Sequence, residues 1–295
     1  CKEIHMVISA GIRLKGRLSV SPRVNLIMPY HKILDGIYED LKGDAKTGTT
    51  RRGICPCHAD KVSYNGIRLF DLAQPKVFRE KLLLQLGIKR KIINALDTKP
   101  ARISSSKITH EERVQLIKSI EEQERALDFN LVWSEVMAHY EEIYKAGYIR
   151  ETHGMIVSLL NADQNVLFEG AHGLLLDNEY GTYPFVTASK VVPEGPMSYL
   201  RQNHKDFPQI IGVTKAYTTR VGAGPFPTKL SGEIGNLIRK NGVEFGTTTG
   251  RERDCGWLDG EALRYAIGVS GINRLAVTKL DVLDTFEEVK ICTHY

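Results

Sequence analysis

Five clusters could carry chemistry, and three of them combine glycines, hydroxyl residues and arginines. The first is Gly48-Thr49-Thr50-Arg51-Arg52-Gly53. Glycines let the backbone wrap an anion, threonines and amides donate hydrogen bonds, and arginine adds charge-assisted ones. The same residues also describe an ordinary solvated basic loop. The second cluster runs Glu169-Gly170-Ala171-His172-Gly173, then Leu176-Asp177, then Gly181-Thr182-Tyr183-Pro184-Phe185-Val186-Thr187. Its small-residue turns admit close approach of a ligand. His172 is either a donor to that ligand or a turn histidine bonded to local backbone. The third, Thr218 to Thr228, alternates glycine and proline too closely for helix or strand.

The fourth cluster is Gly246-Thr247-Thr248-Thr249-Gly250-Arg251-Glu252-Arg253. Three hydroxyls and two arginines suit a carboxylate or phosphate, which Arg251 and Arg253 can hold in bidentate fashion. A surface lattice of ion pairs is the plainer alternative. The fifth, Thr278-Lys279-Leu280-Asp281, follows an apolar run. An aspartate there can accept two hydrogens from the N1 and N2 face of guanine, while a lysine stem lies along the purine. Cys55-Pro56-Cys57-His58 invites a metal reading, but zinc takes four ligands and no second pair has matching spacing, so no metal site is expected within the chain.

The elements that position these clusters emerge from periodicity. Residues 24–29 read as a short buried strand ending at Pro29, and 30–42 as a helix with Ile33, Leu34, Ile37 and Leu41 on one face. Residues 43–71 read as a long loop. Residues 76–150 are the most helical region, with a capping box at Thr109 to Glu112. Apolar runs at 166–170, 210–213 and 275–278 read as strands, with helices at 232–240 and 259–270. Strands that end in polar loops and alternate with helices predict an α/β fold with a mostly parallel central sheet and flanking helices. Ligands in such folds sit off the carboxyl ends of the strands. The organisation expected is a single domain over 1–295, mostly helical at about 76–150 and motif-bearing α/β at about 151–295.

Composition narrows the classes. The 295 residues are 42% apolar and 25% charged, which is ordinary for a globular protein. No apolar run reaches the roughly 18–20 residues of a membrane helix, so no membrane is expected. Lys plus Arg number 40 against 35 Asp plus Glu. That excess does not call for nucleic acid but suits an anionic small substrate. The cysteines are five and lack framework spacing, as in a reduced, cytoplasmic protein. The chain starts at Cys1, and Val289 to Cys292 reads as a strand just begun, so a segment of a longer protein is expected.

Taken in order, the blocks GTYPFVTAS, KAYTTRVGAGPFPT, EFGTTTGRERDCGWLD and TKLDVLD resemble adenylosuccinate synthetase, from about Gly11 to the C-terminus. The resemblance implies a P-loop-NTPase-like fold with a helical insertion. It implies a cytoplasmic ligase of purine biosynthesis that joins IMP and L-aspartate at the expense of GTP, needs Mg2+ and works as a homodimer. Residue by residue, it implies IMP contacts at Thr50, His172, Thr187 and Arg251. It implies aspartate contacts at Thr247, Thr248, Thr249, Gly250, Arg251 and Arg253, and GTP contacts at Arg253, Lys279, Leu280 and Asp281. The family's aspartate base and histidine acid are expected ahead of Cys1, so no catalytic residue is assigned within the chain. Its last guanosine loop is expected beyond Tyr295.

The chain departs from the family pattern at several places. Tyr64 stands where the family has an arginine that crosses the dimer interface to the nucleotide phosphate, and His172 replaces a glutamine. Arg51 and Cys55 replace loop glycines, and Glu252 and Asp254 stand where arginines are frequent. The glycine-rich stretch expected after Thr187 reads Lys190 to Gly195 instead. These changes leave two alternatives: a nucleotide-binding homologue without turnover, and a synthetase for another purine monophosphate.

Overall fold

The computed structural model describes residues 2–99, 103, 108–200, 207–246 and 250–295. The chain divides into two compact units, one of residues 1–42 and 51–166, the other of residues 43–50 and 167–295.

The first unit is helical: α1 (Lys2–Ser9), α2 (Pro29–Leu41), α3 (Ile54–Val62), α4 (Pro75–Leu96), α5 (His110–Leu127), α6 (Phe129–Lys145) and α7 (Thr152–Asn161). Proline at the first position starts both α2 and α4, where its missing N–H costs nothing. Phe78, Leu82, Leu86, Lys89 and Ile93 form one buried stripe along α4 at three- and four-residue steps. That stripe packs with Met28, Tyr30, Leu34 and Ile37 of the α2 region and with Leu127 and Val132. The capping box of α5 is present: the Glu112 N–H donates to Thr109 Oγ1 at 3.1 Å, and the Thr109 N–H to Glu112 Oε2 at 2.8 Å.

Beneath the apolar stripe lies a buried polar network. The Met28 N–H donates to His31 Nδ1 at 2.9 Å, so the proton of the neutral ring sits on Nε2, which faces Asp60 Oδ2 at 2.8 Å. The Lys89 ammonium pairs with the other Asp60 oxygen. Burial alone would raise the Asp60 pKa, but the hydrogen bonds from His31 and Lys89 and the Lys89 charge outweigh it and hold the carboxyl below its usual range. Burial also pushes the nearby Tyr30 phenol upward.

Two expectations are corrected in this unit. Residues 43–71 are not one long loop, because they contain α3 and a 3-10 turn at Leu69–Ala73. Gly53 makes the entry to α3 possible: its φ is +79°, and a Cβ there would lie 2.8 Å from His31 Cβ. Its N–H donates to the buried Asp35 at 2.9 Å, and the Asp60 network then ties α3 to α2 and α4. The segment 24–29 is not a strand of a sheet. It makes one antiparallel bridge, Asn25 to Arg68, flanked by Leu26 N to Ile67 O at 2.9 Å. Pro29 then starts α2 and stops further pairing.

The second unit contains α8 (Glu194–Leu200), β1 (Ile211–Lys215), β2 (Tyr217–Arg220), α9 (Glu233–Gly242), β3 (Asp254–Asp259), α10 (Gly260–Ser270), β4 (Arg274–Thr278) and β5 (Ile291–Cys292). Strands β1 and β4 pair in parallel, from Ile211 opposite Arg274 to Lys215 opposite Thr278. Strand β3 pairs antiparallel with β2 and parallel with β5. The fold is α/β as expected, and among the described residues two of the three strand pairings are parallel, β1–β4 in one sheet and β3–β5 in the other. Ala216, Tyr217, Ile238, Cys255, Val282 and Leu283 form its core. The expected strand at 166–170 is absent: Leu167 is exposed, and its neighbour Phe168 meets the Phe207 ring at 5.3 Å. By register, Ile211 and Val213 face one side of the β1–β4 pair and Leu275 and Val277 the other, and all four are exposed.

Candidate functional site

The parallel strands β1 and β4 end at Lys215 and Thr278, and chemistry gathers at those carboxyl ends. Glu244, wholly buried, is the centre of the cluster. Its Oε1 accepts from Lys215 Nζ at 2.7 Å, from the Tyr217 hydroxyl at 2.6 Å and from Lys279 Nζ at 3.3 Å. Its Oε2 accepts from Arg253 Nη1 at 2.7 Å. Burial works against the charge, yet the hydrogen bonds from Lys215 and Tyr217, the Lys215 charge and the Arg253 bond hold the Glu244 pKa down at about 2. Lys215 is lowered, chiefly by burial and also by Arg253 and Lys279, despite its bond to Glu244. The Tyr217 phenol is pushed well up by burial and by the carboxylate it faces.

Residues of the fourth and fifth clusters thus meet on one carboxylate. Lys279 enters with φ +56°, and its ammonium also donates to the Gly242 carbonyl. The turn Leu280–Leu283 follows, anchored by the buried Val282 and Leu283 and leaving Leu280 and Asp281 exposed. Asp281 is near enough to contribute to the upward shift of Tyr217.

Arg251 points to a different part of the unit. Its Nη2 donates to the Gly48 carbonyl at 3.0 Å. Gly48 has φ +78°, and a Cβ there would stand 3.2 Å from Gly222 Cα. The first, third and fourth clusters therefore converge at Gly48, Gly222 and Arg251. Thr50, two residues on, is exposed. Gly250 turns with φ +64° and donates its N–H to the Gly246 carbonyl at 2.7 Å. Thr247, Thr248 and Thr249 lie outside the described residues.

The second cluster is shaped by Asp177, which is 1% exposed. Its carboxylate accepts the N–H groups of Glu179 at 2.9 Å, Tyr180 at 3.2 Å and Val191 at 3.4 Å. Burial opposes the charge, but these three amides and Lys190 hold the Asp177 pKa below its usual range. The Thr187 N–H donates to the Leu176 carbonyl at 2.8 Å, and its hydroxyl lies 3.1 Å from that of Ser189. Arg220 joins the third cluster to this one: its guanidinium donates to Thr182 Oγ1 at 3.2 Å and to the Ala223 carbonyl at 3.0 Å. His172 is exposed at φ +70°, and among the described residues the hydrogen bonds that link the clusters do not pass through it.

Asp177 belongs to the second cluster, whereas Glu244, Lys215 and Tyr217 were assigned no role from the sequence. Glu244 had a signal, a lone acid between Val243 and Phe245 just ahead of the threonine run. Lys215 and Tyr217 read only as strand residues. The described residues contain no group of three or more His, Cys, Asp or Glu able to hold a metal ion. Cys57 lies buried in α3 with its thiol pushed up to about 11, mainly by burial and then by Asp60. Among the described residues, no helix is long and apolar enough to cross a membrane.

The adenylosuccinate synthetase family profile matches residues 1–295. The chain is 41% identical over 295 residues to the adenylosuccinate synthetase of Chlorobium chlorochromatii, covering all of this chain and 62% of that one. It is 44% identical over 299 residues to that of Chlorobaculum tepidum, covering 99% of this chain and 61% of that one. It is also similar to the solved structure of fully ligated adenylosuccinate synthetase from Plasmodium falciparum, with a TM-score of 0.76 and 33% identity over 99% of this chain and 62% of that one. The chain therefore spans about 62% of the length of these relatives.

Proposed function

From the premise that the chain belongs to the adenylosuccinate synthetase family, we propose that the protein ligates IMP and L-aspartate to adenylosuccinate in purine nucleotide synthesis, driven by GTP. The observation that carries this reading is the cationic cluster of Lys215, Arg253 and Lys279 on buried Glu244, where β1 and β4 end. Three cations share one carboxylate there, and the surplus positive charge suits a polyanionic ligand.

The roles proposed follow the chemistry of each group. Asp281 accepts the N1 and N2 hydrogens of guanine, with Lys279 and Leu280 beside the base and Arg253 toward the phosphates. Thr50, Thr187, His172 and Arg251 serve IMP. Thr247, Thr248, Thr249, Gly250, Arg251 and Arg253 serve the two carboxylates of aspartate. The 6-oxygen of IMP is a poor leaving group. Transfer of the GTP γ-phosphoryl onto it makes a good one, which the aspartate amine displaces. Charge neutralisation and positioning do most of the work in such a transfer. Mg2+ is expected with the nucleotide, as in the family, with protein ligands from outside this chain, where it would neutralise charge on the GTP phosphates. The protein is proposed to be a cytoplasmic homodimer, with Tyr64, exposed just beyond α3, at the position that reaches the partner.

The test is product formation by the full-length protein with IMP, aspartate and GTP. Adenylosuccinate should form with matching GDP, and GDP release should require IMP. No product, with no IMP-dependent GDP, would remove the catalytic claim.

A further inference from the structure

The backbone of Glu244 is locked on both sides. Val243 turns the chain after α9 with φ +51°, the Glu244 N–H donates to the Arg239 carbonyl at 2.9 Å, and its carbonyl accepts from the Arg253 N–H at 3.0 Å. This backbone frame leaves the side chain little choice of direction. The carboxylate goes inward, fully buried, while the Lys215, Arg253 and Lys279 side chains that reach it are 25%, 28% and 40% exposed.

Such an arrangement is a poor stability device. Buried ion pairs are costly to desolvate, and an apolar packing of the same volume often does as well. These like charges also repel one another, and burial first, then Arg253 and Lys279, lowers the Lys215 pKa. What the arrangement does supply is fixed direction. The Lys279 ammonium is held by Glu244 and the Gly242 carbonyl, which fixes the direction of its side chain two residues before Asp281 in the chain. The Arg253 guanidinium is held through Nη1, and its planar fork carries further N–H donors of the kind a carboxylate or phosphate takes. Arg251 is fixed separately, on Gly48.

We propose that Glu244 is a positioning residue that holds Arg253 and Lys279 in one frame for the nucleotide triphosphate and the amino diacid. The proposal rests on the functional reading above for the identity of those ligands. Glu244 touches neither ligand and acts through the two cations.

The experiment uses the full-length protein and the isosteric variant Glu244→Gln. Calorimetry reads the dissociation constant of a non-hydrolysable GTP analogue, and steady-state kinetics reads KM for aspartate and IMP. Loss of a charge-assisted hydrogen bond is worth about tenfold in affinity, so the analogue constant and the aspartate KM should each rise about tenfold. The IMP KM should change less than about twofold, because Arg251 is held independently. Lys279→Met should weaken the analogue alone. The double variant Glu244→Gln/Lys279→Met should weaken the analogue by clearly less than the product of the two single effects, since part of the Glu244 effect runs through Lys279. Multiplying single effects, or a folded Glu244→Gln protein with both constants unchanged, overturns the proposal. Glu244→Asp keeps the charge but withdraws it by one methylene, and carries the same expectations where Glu244→Gln does not fold. The analogue pattern without adenylosuccinate formation sinks the functional reading and leaves the positioning role. Adenylosuccinate formation without the pattern sinks the positioning role alone.

Discussion

The sharpest prediction about the first unit concerns Asp60→Asn. Asp60 is 5% exposed, and its two oxygens take the His31 ring and the Lys89 ammonium, itself only 5% exposed at the side chain. Asparagine has nearly the same shape and still accepts from His31. It cannot neutralise Lys89, so the loss is that of a buried cation left unpaired, about 3 kcal/mol. That lowers the folded-to-unfolded ratio by about two orders of magnitude. Urea denaturation followed by fluorescence measures it. Trp133 stacks on Phe78 at 4.9 Å inside this unit, and Trp257 lies in the other, so a Trp257→Phe background isolates the signal. A second arm, Asp60→Asn/Lys89→Met, removes the stranded charge and should recover more than half of the loss. The pH dependence has a definite sign. The folded Asp60 pKa is depressed, so its contribution is present above the unfolded value of about 3.9 and disappears as pH falls through the folded value. Asp60→Asn should therefore flatten the decline in stability below about pH 4. A cost under about 0.5 kcal/mol, or a double variant no better than the single, would refute the account of this network.

Two further outcomes follow. Gly53→Ala should cost about 2 kcal/mol or more in the same Trp133 denaturation, because alanine disfavours φ +79° and its Cβ would meet His31 at 2.8 Å; a neutral result would mean that α3 can enter by another path. Tyr64→Arg should lower the IMP KM of the dimeric full-length protein by about tenfold, by restoring a charge-assisted phosphate contact; an unchanged KM in a protein that still elutes as a dimer would show that Tyr64 does not face the partner's nucleotide.

Much of the local structure was legible because local interactions decide it. The capping box at Thr109 and Glu112 and the helix over 30–42 came from spacing of three and four, the strands at 210–213 and 275–278 from short apolar runs, and all are present within a residue or two. The expected strand at 166–170 failed because an apolar run promises burial only where a partner strand exists, and Leu167 stands exposed. Helix α3 was missed for the opposite reason. Its composition, with Pro56 and two cysteines, reads as loop, and its stability comes from Gly53 close against His31 and from Asp60 on His31 and Lys89.

The glycine, threonine and arginine clusters, and their likeness to one enzyme family, lay in the order of residues along the chain. Glycine, threonine and arginine in such runs carry their hydrogen-bonding capacity wherever they fold. Which clusters share a centre was a tertiary matter. Arg251 and Arg253 are two residues apart, yet one reaches Gly48 and the other Glu244. Lys215, Tyr217, Glu244 and Lys279 come from separate segments and meet on one carboxylate. A buried charge must find partners in space, and no local pattern records which segments will bring them.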